Sequence, residues 1–155
     1  MSKQWQLRRG TTAENNGFTG AQGELTMDTD TNALRIHDGV TQGGHIIDCV
    51  VAWQAPTAEN NYTWYRKYAS GWVEQGGFWV GNTSSPQNGT IDLPITMANT
   101  NYQVLFAYNQ NADSTSDWTS NTSIRPLSAT QLKVRKLTSI AGNISWEVKG
   151  MALKE

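Results

Sequence analysis

The stretch Tyr62-Thr63-Trp64-Tyr65-Arg66-Lys67-Tyr68-Ala69-Ser70-Gly71-Trp72-Val73-Glu74-Gln75 decides the fold class. Tyr62, Trp64, Arg66 and Tyr68 fall on one face of an extended chain, Ala69-Ser70-Gly71 turns it, and Trp72 to Gln75 runs back, which predicts a β-hairpin. Beyond it, short strands recur at 78–80, 90–95, 102–108, 123–127, 131–137 and 144–150, separated by turn-rich loops. That spacing predicts an antiparallel β-sandwich. No window carries helical apolar periodicity beyond two turns, and no repeat of fixed period occurs.

Towards the N-terminus, residues 54–61 contain a proline and small or polar residues. They predict a linker, with Cys49 to Trp53 free to join either side. Trp5 and Leu7 alternate with polar neighbours from Gln4 to Arg8, as a half-buried strand would require. A Gly- and Asn-rich stretch runs from Gly10 to Gly23. Glu24 to Met27 and Ala33 to Ile36 then flank Asp28-Thr29-Asp30-Thr31-Asn32, predicting a second hairpin with a polar turn. The division expected is 1–48, an N-terminal module; 49–61, a linker; and 62–155, the sandwich. The first module has too few apolar side chains to offset the chain entropy of ordering it alone, so it should need partner chains.

Composition narrows the function. Hydrophobic residues make up 37% and charged residues 16%, and the balance of Thr, Asn, Ser, Gln and Gly argues against a helical bundle. Twelve basic against 13 acidic residues give a net charge of −1, so no broad positive field attracts nucleic acid. No apolar run approaches a membrane span, and Met1 to Gly10 has no apolar core of a signal peptide. The expectation is a protein made in a cytoplasm and exported by another route, such as lysis. The single Cys49 reads as a half-buried strand residue.

Metal and catalytic motifs are weak. Asp28 to Asn32 opens like a calcium loop, yet Ala33 stands where the sharp-turn Gly is needed and Gly39 where a bidentate Glu is needed, so the segment reads as a hairpin turn. His37 and His45 lack the companions of a tetrahedral site. The carboxylates Asp28, Asp30, Asp38, Asp113 and Asp117 fall in turns or loops, a poor basis for a glycosidase pair. No nucleophile elbow, phosphate loop or zinc-protease helix occurs. No catalytic residue, metal or cofactor is expected.

Seven tryptophans and five tyrosines are the most informative feature, because an aromatic ring stacks on a sugar face while neighbouring amides and carboxylates bond the hydroxyls. Trp5, Trp53, Trp64, Trp72 and Trp146 sit in contexts that favour burial. Two long polar loops stand out, 82–89 and 109–121, and the second carries Trp118. Trp118 is the first candidate for ligand contact, with Tyr108, Asn109, Asn111, Asp113 and Asp117 as companions; the alternative is a ring folded back to anchor its loop.

Two sets of landmarks carry a family resemblance. Gln6-Leu7-Arg8-Arg9-Gly10-Thr11, then Gly23-Glu24-Leu25, Asp28-Thr29-Asp30-Thr31, Arg35-Ile36 and Asp38-Gly39, resembles a short module of bacteriophage tail fibres and tail-associated proteins. Tyr62-Thr63-Trp64-Tyr65-Arg66, Gly71 to Gly77, Leu93-Pro94, Asn101-Tyr102, Trp146 and Gly150 are similar to the C-terminal β-sandwich of many tail fibres. The resemblance implies an intertwined N-terminal module near the attachment end of a fibre, a homotrimer, and a tip presenting variable loops to the host. The expected protein is then all-β and non-enzymatic, held in the virion by other phage tail proteins and binding a host cell-surface glycan or protein. A structural connector or cap without receptor contact is the alternative, and a tip that cleaves the glycan it binds is a third.

Overall fold

A computed structural model describes residues 6–82, 84–110, 122–137 and 142–154. They form an all-β protein with one short helix, as expected. Contacts divide it into two compact units: Met1–Val51 with Tyr68–Ser70, and Ala52–Lys67 with Gly71–Glu155.

The first unit holds a four-stranded sheet in the order β1 (Arg8–Gly10), β2 (Leu25–Asp28), β3 (Leu34–Ile36), β4 (His45–Ile47). β1 runs parallel to β2, and the others pair antiparallel. A parallel pair needs a crossover of a dozen or more residues. Residues 11–24 provide it, led by helix α1 (Thr12–Gly17). The helix starts at a capping box: Thr11 Oγ1 accepts from the Glu14 N–H, and a Glu14 carboxylate oxygen accepts from the Thr11 N–H at 2.7 Å. β1 begins later than the alternation of Trp5 and Leu7 predicts. Its place is set by pairing, Arg8 opposite Thr26 and Gly10 opposite Asp28, while the Gly10 carbonyl accepts from the Thr29 N–H at 2.9 Å.

The two faces of this sheet reverse the usual arrangement. Thr26, Asp28 and Arg35 share the covered face and are buried, while Leu25, Ile36 and Ile47 lie exposed on the other, beside half-buried Met27 and Leu34. The covered face is held by polar contacts. Arg35 donates from Nη2 to Asp28 Oδ2 at 2.8 Å, and from Nη1 to Asn16 Oδ1 at 2.8 Å and the Gly43 carbonyl at 3.0 Å. Asp28 Oδ1 accepts from Thr12 Oγ1 and from the Asp30 and Thr31 N–H groups. The segment Asp28 to Asn32 is thus a hairpin turn capped by its own first carboxylate, as its sequence predicts. Burial alone would raise the Asp28 pKa; the Arg35 guanidinium and the donors from Thr12, Thr31 and Asp30 outweigh it, and the carboxyl titrates below its usual range.

His37 completes this interior. The Gly20 N–H donates to Nδ1 at 3.2 Å, so the ring proton sits on Nε2, which bonds Thr26 Oγ1 at 3.0 Å. The Phe18 ring meets it edge-on at 5.2 Å. A Cβ on Gly20 would come within 2.7 Å of the imidazole, so the close approach requires glycine there.

The second unit is a sandwich. Its larger sheet has the order β5 (Val50–Gln54), β6 (Trp64–Tyr68), β7 (Trp72–Gly81), β12 (Gly142–Met151), β9 (Gln103–Gln110); its smaller sheet has the order β10 (Thr122–Pro126), β11 (Gln131–Lys136), β8 (Gln87–Asp92). Ile144, Trp146 and Val148 of the larger sheet meet Ile91, Ile124, Leu132 and Val134 of the smaller one in a single core, closed by Leu93, Met97 and Tyr102. Two polar side chains tie loops to this core. Gln75 exchanges two hydrogen bonds with the Ile95 backbone at 2.9 Å each, and Tyr102 Oη donates to the Ser128 carbonyl at 2.8 Å. The segment 49–61 carries β5 and a 3-10 turn, Ala58–Asn60.

The hairpin of β6 and β7 forms as predicted, but β7 runs unbroken through Gly76-Gly77 to Gly81. The two glycines are positions of close approach. A Cβ on Gly76 would fall 2.9 Å from Trp64 Nε1, and one on Gly77 would fall 3.2 Å from Trp146 Cζ2. Of the tryptophans expected to be buried, Trp146 is, at 4% exposure, and Trp64 is half-buried. Trp53 and Trp72 are corrections. Trp53, on edge strand β5, is 67% exposed; Trp72, at the end of β7, faces Met151, itself exposed.

Candidate binding surfaces

The outer face of the larger sheet of the second unit is shaped by its aromatic residues. Cross-strand register sets Trp64 beside Gly76 and Glu147 beside Leu105 in one row, and Phe78, Ser145 and Ala107 in the next. Because Gly76 lacks a side chain, the Trp64 indole settles against the strand; the Tyr62 and Phe78 rings meet at 5.4 Å. Together with Pro56, Leu105 and Phe106 these rings line a shallow concavity of about 560 Å³. Its polar residues are few. Glu147 pairs with Lys149 at 3.1 Å, which raises the lysine pKa, and Ser145 Oγ donates to the Ala107 carbonyl. The surface is suited to covering by apolar groups or a flat sugar ring. Sequence reading missed it as a site, because its residues come from four strands; the signal available was the paired glycine beside two aromatic runs.

The candidates read from sequence fall in two groups. Tyr108 is half-buried on β9, its ring packed against the core and the backbone of Gly142. Asn109 is on the opposite face, exposed, and stands across from Asn143. Asn111, Asp113, Asp117 and Trp118 lie outside the described residues. Among the described residues no group of three or more His, Cys, Asp or Glu is placed to hold a metal ion, and no helix is long and apolar enough to cross a membrane.

In the first unit the loop after β3 carries an ordered carboxylate. Asp38 accepts from Thr41 Oγ1 and the Thr41 N–H at 2.7 Å each, from the Val40 N–H at 2.9 Å and from His45 Nε2 at 3.1 Å. These donors, Thr41 first, hold its pKa far below the usual carboxylate value.

The first unit is therefore a small module with a polar interior and carboxylate-capped turns at Asp28 and Asp38, which are among the landmarks of the phage tail-fibre resemblance. Comparison with known proteins bears this out: residues 6–41 match the Major tropism determinant N-terminal domain. The chain is also 54% identical over 44 residues to the tail fiber receptor-binding protein of Bordetella phage BPP-1, a match covering 28% of this chain and 12% of that protein. The chain thus spans a small part of that relative. Among solved structures, an N-truncated R2-type pyocin tail fiber is 17% identical over 66% of this chain and 39% of its own, with a TM-score of 0.46. The P3c variant of Major Tropism Determinant is 32% identical over 41% of this chain and 20% of its own, with a TM-score of 0.27.

Proposed function

We propose that this chain is a phage tail-fibre receptor-binding protein that attaches the virion to the bacterial surface through a cell-surface glycan. The observation that carries the reading is the N-terminal match to a tail fiber receptor-binding protein. In this reading the first unit joins the chain to other tail proteins, the second presents the binding surfaces, and three copies assemble into one fibre piece. The exposed Leu25, Ile36 and Ile47 support the assembly, since aliphatic side chains on the open face of so small a unit gain most by meeting their counterparts in other copies. Three weak sites on one particle then raise avidity by about a hundredfold or more without any strong single site. Binding proceeds without catalysis.

One feature favours a second reading, a connector without receptor contact: the matched segment is an N-terminal domain and covers 12% of the relative. Two measurements test these readings. Light scattering on the purified protein should return about three times the 17.1 kDa chain mass; a monomer would remove the avidity argument. Fluorescently labelled protein should then stain bacteria from a strain panel without other tail components, whereas a connector stains none. A reducing-sugar assay on the polysaccharide of the stained strains should stay at background.

A further inference from the structure

The two outer faces of the sandwich differ in chemistry. On the smaller sheet, β11 stands between β10 and β8, and its outward residues are Gln131, Lys133 and Arg135. Register places Arg125 directly opposite Lys133, and Ser123 opposite Arg135; on the other side Thr90 faces Lys133 and Asn88 faces Arg135. Arg125, Arg135, Ser123, Asn88 and Thr90 are exposed, and Lys133 is half-buried. Neighbouring strands lie about 4.8 Å apart and alternate residues about 7 Å apart along a strand, so three cations share a patch about 7 Å across.

None of the three has a carboxylate partner among the described residues. The acid on this face, Asp92, stands one row away, opposite Gln131, and accepts from its Nε2 at 2.7 Å. Arg125 donates a long bond of 3.4 Å to the Pro126 carbonyl. Like charges directly opposite one another on adjacent strands destabilise a sheet, so the fold keeps Arg125 against Lys133 at a cost that no contact within the described chain offsets. An external anion would offset it.

We infer that the outer face of β8, β10 and β11 binds an acidic surface glycan, with Arg125, Lys133 and Arg135 meeting uronate carboxylates and Asn88, Thr90 and Ser123 bonding the hydroxyls beside them. The arginines supply paired donors that match a carboxylate, and the short amide and hydroxyl side chains supply the neutral contacts a sugar needs. Nucleic acid fits less well, because the described residues of the face include no aromatic ring for base stacking and the chain has a net charge of −1. A lipid surface fits less well too, since the exposed Leu127 and Leu137 stand at the two ends of this face and no apolar side chain lies between the three cations. The inference rests on the attachment reading and names the chemistry of the receptor.

The test uses the full chain and polygalacturonate, with dextran as the neutral control. The triple variant R125Q/K133Q/R135Q removes the cations and also the repulsion between them, so it should melt no lower than the parent. Expected results are binding of the parent to polygalacturonate and not to dextran, a loss of affinity of about fivefold to tenfold between about 50 and about 200 mM salt, and at least tenfold weaker binding by the variant. Equal binding of polygalacturonate by variant and parent, or equal binding of dextran and polygalacturonate by the parent, overturns the inference. Cell staining separates the two levels. A folded variant that stains bacteria as the parent does overturns this face as the receptor site and leaves attachment standing. A parent that binds polygalacturonate through these residues while staining no strain keeps the acidic-polysaccharide site and overturns attachment.

Discussion

The first unit buries a guanidinium, a carboxylate and an imidazole and leaves Leu25, Ile36 and Ile47 in solvent; the second buries Leu132, Val134, Ile144 and Val148, with Lys136 as a buried cation at the end of β11, and turns Arg125, Lys133 and Arg135 outward. Both are β-sheets with alternating patterns, so alternation alone does not say which side is inside. What decides is the cover. In the first unit, α1 and the loops after α1 and β3 offer Thr12, Asn16, the Gly20 N–H and the Gly43 carbonyl, which satisfy charged and polar side chains better than aliphatic ones. In the second, one sheet covers the other with branched aliphatic residues. The difference teaches that the first unit is specified by hydrogen bonding and the second by apolar burial.

The strongest way to break the comparison is to truncate one interior residue in each unit. Arg35→Ala leaves the buried Asp28 carboxylate without its guanidinium, and should destabilise the first unit by about 3–5 kcal/mol. Trp146→Ala removes the largest ring of the apolar core and should cost the second unit about 3–5 kcal/mol. Hydrogen exchange at fixed protein concentration resolves the two. Protection should fall in residues 8–47 for the first variant and in β7, β9 and β12 for the second. Loss of protection in both units from either change would show one cooperative interior instead of two.

Acid sharpens the contrast with a smaller effect. The Asp28 pKa is depressed in the folded protein, so the stability it contributes is present above the unfolded carboxylate pKa, about 4, and is lost as pH falls through the lower folded value. Asp38 shifts in the same direction through its Thr41, Val40 and His45 donors. The first unit should therefore lose exchange protection below about pH 4 while the core strands of the second, whose interior holds no lowered carboxylate among the described residues, keep theirs. Parallel loss in both would count against a polar interior as the source of stability in the first.

Much of the second unit was legible in the sequence. The predicted strands at 102–108, 123–127, 131–137 and 144–150 agree with β9 to β12 within two or three residues, because the last three alternate apolar and polar side chains and the first is a short apolar, aromatic-rich run after a turn. The Gly76-Gly77 break was misread for a physical reason: a glycine pair marks a turn unless two indoles need the space, and that need is tertiary. Burial of Trp53 and Trp72 was overestimated because edge position and strand end are not visible in a local pattern. The aromatic concavity and the cationic face were hidden for the same reason, since Trp64, Leu105 and Glu147, or Arg125 and Lys133, become neighbours only through register.

Helix α1 was unread although its start signal was present. Thr11-Thr12-Ala13-Glu14 has the threonine and glutamate spacing of a capping box, but six residues give no apolar periodicity to confirm it. The capping contacts put the smallest of these effects within reach. Thr11→Ala removes the oxygen that accepts from the Glu14 N–H while leaving the Glu14 carboxylate free to accept from the backbone N–H of residue 11, so it should cost about 1 kcal/mol. Because α1 supplies the Asn15 and Thr12 contacts to β1 and to Asp28, the loss should appear as faster exchange along β1 and β2 and leave β7 and β12 unchanged. An unchanged β1 would mean that the polar cover holds the helix in place without its cap, and that the interior of the first unit organises its crossover rather than the reverse.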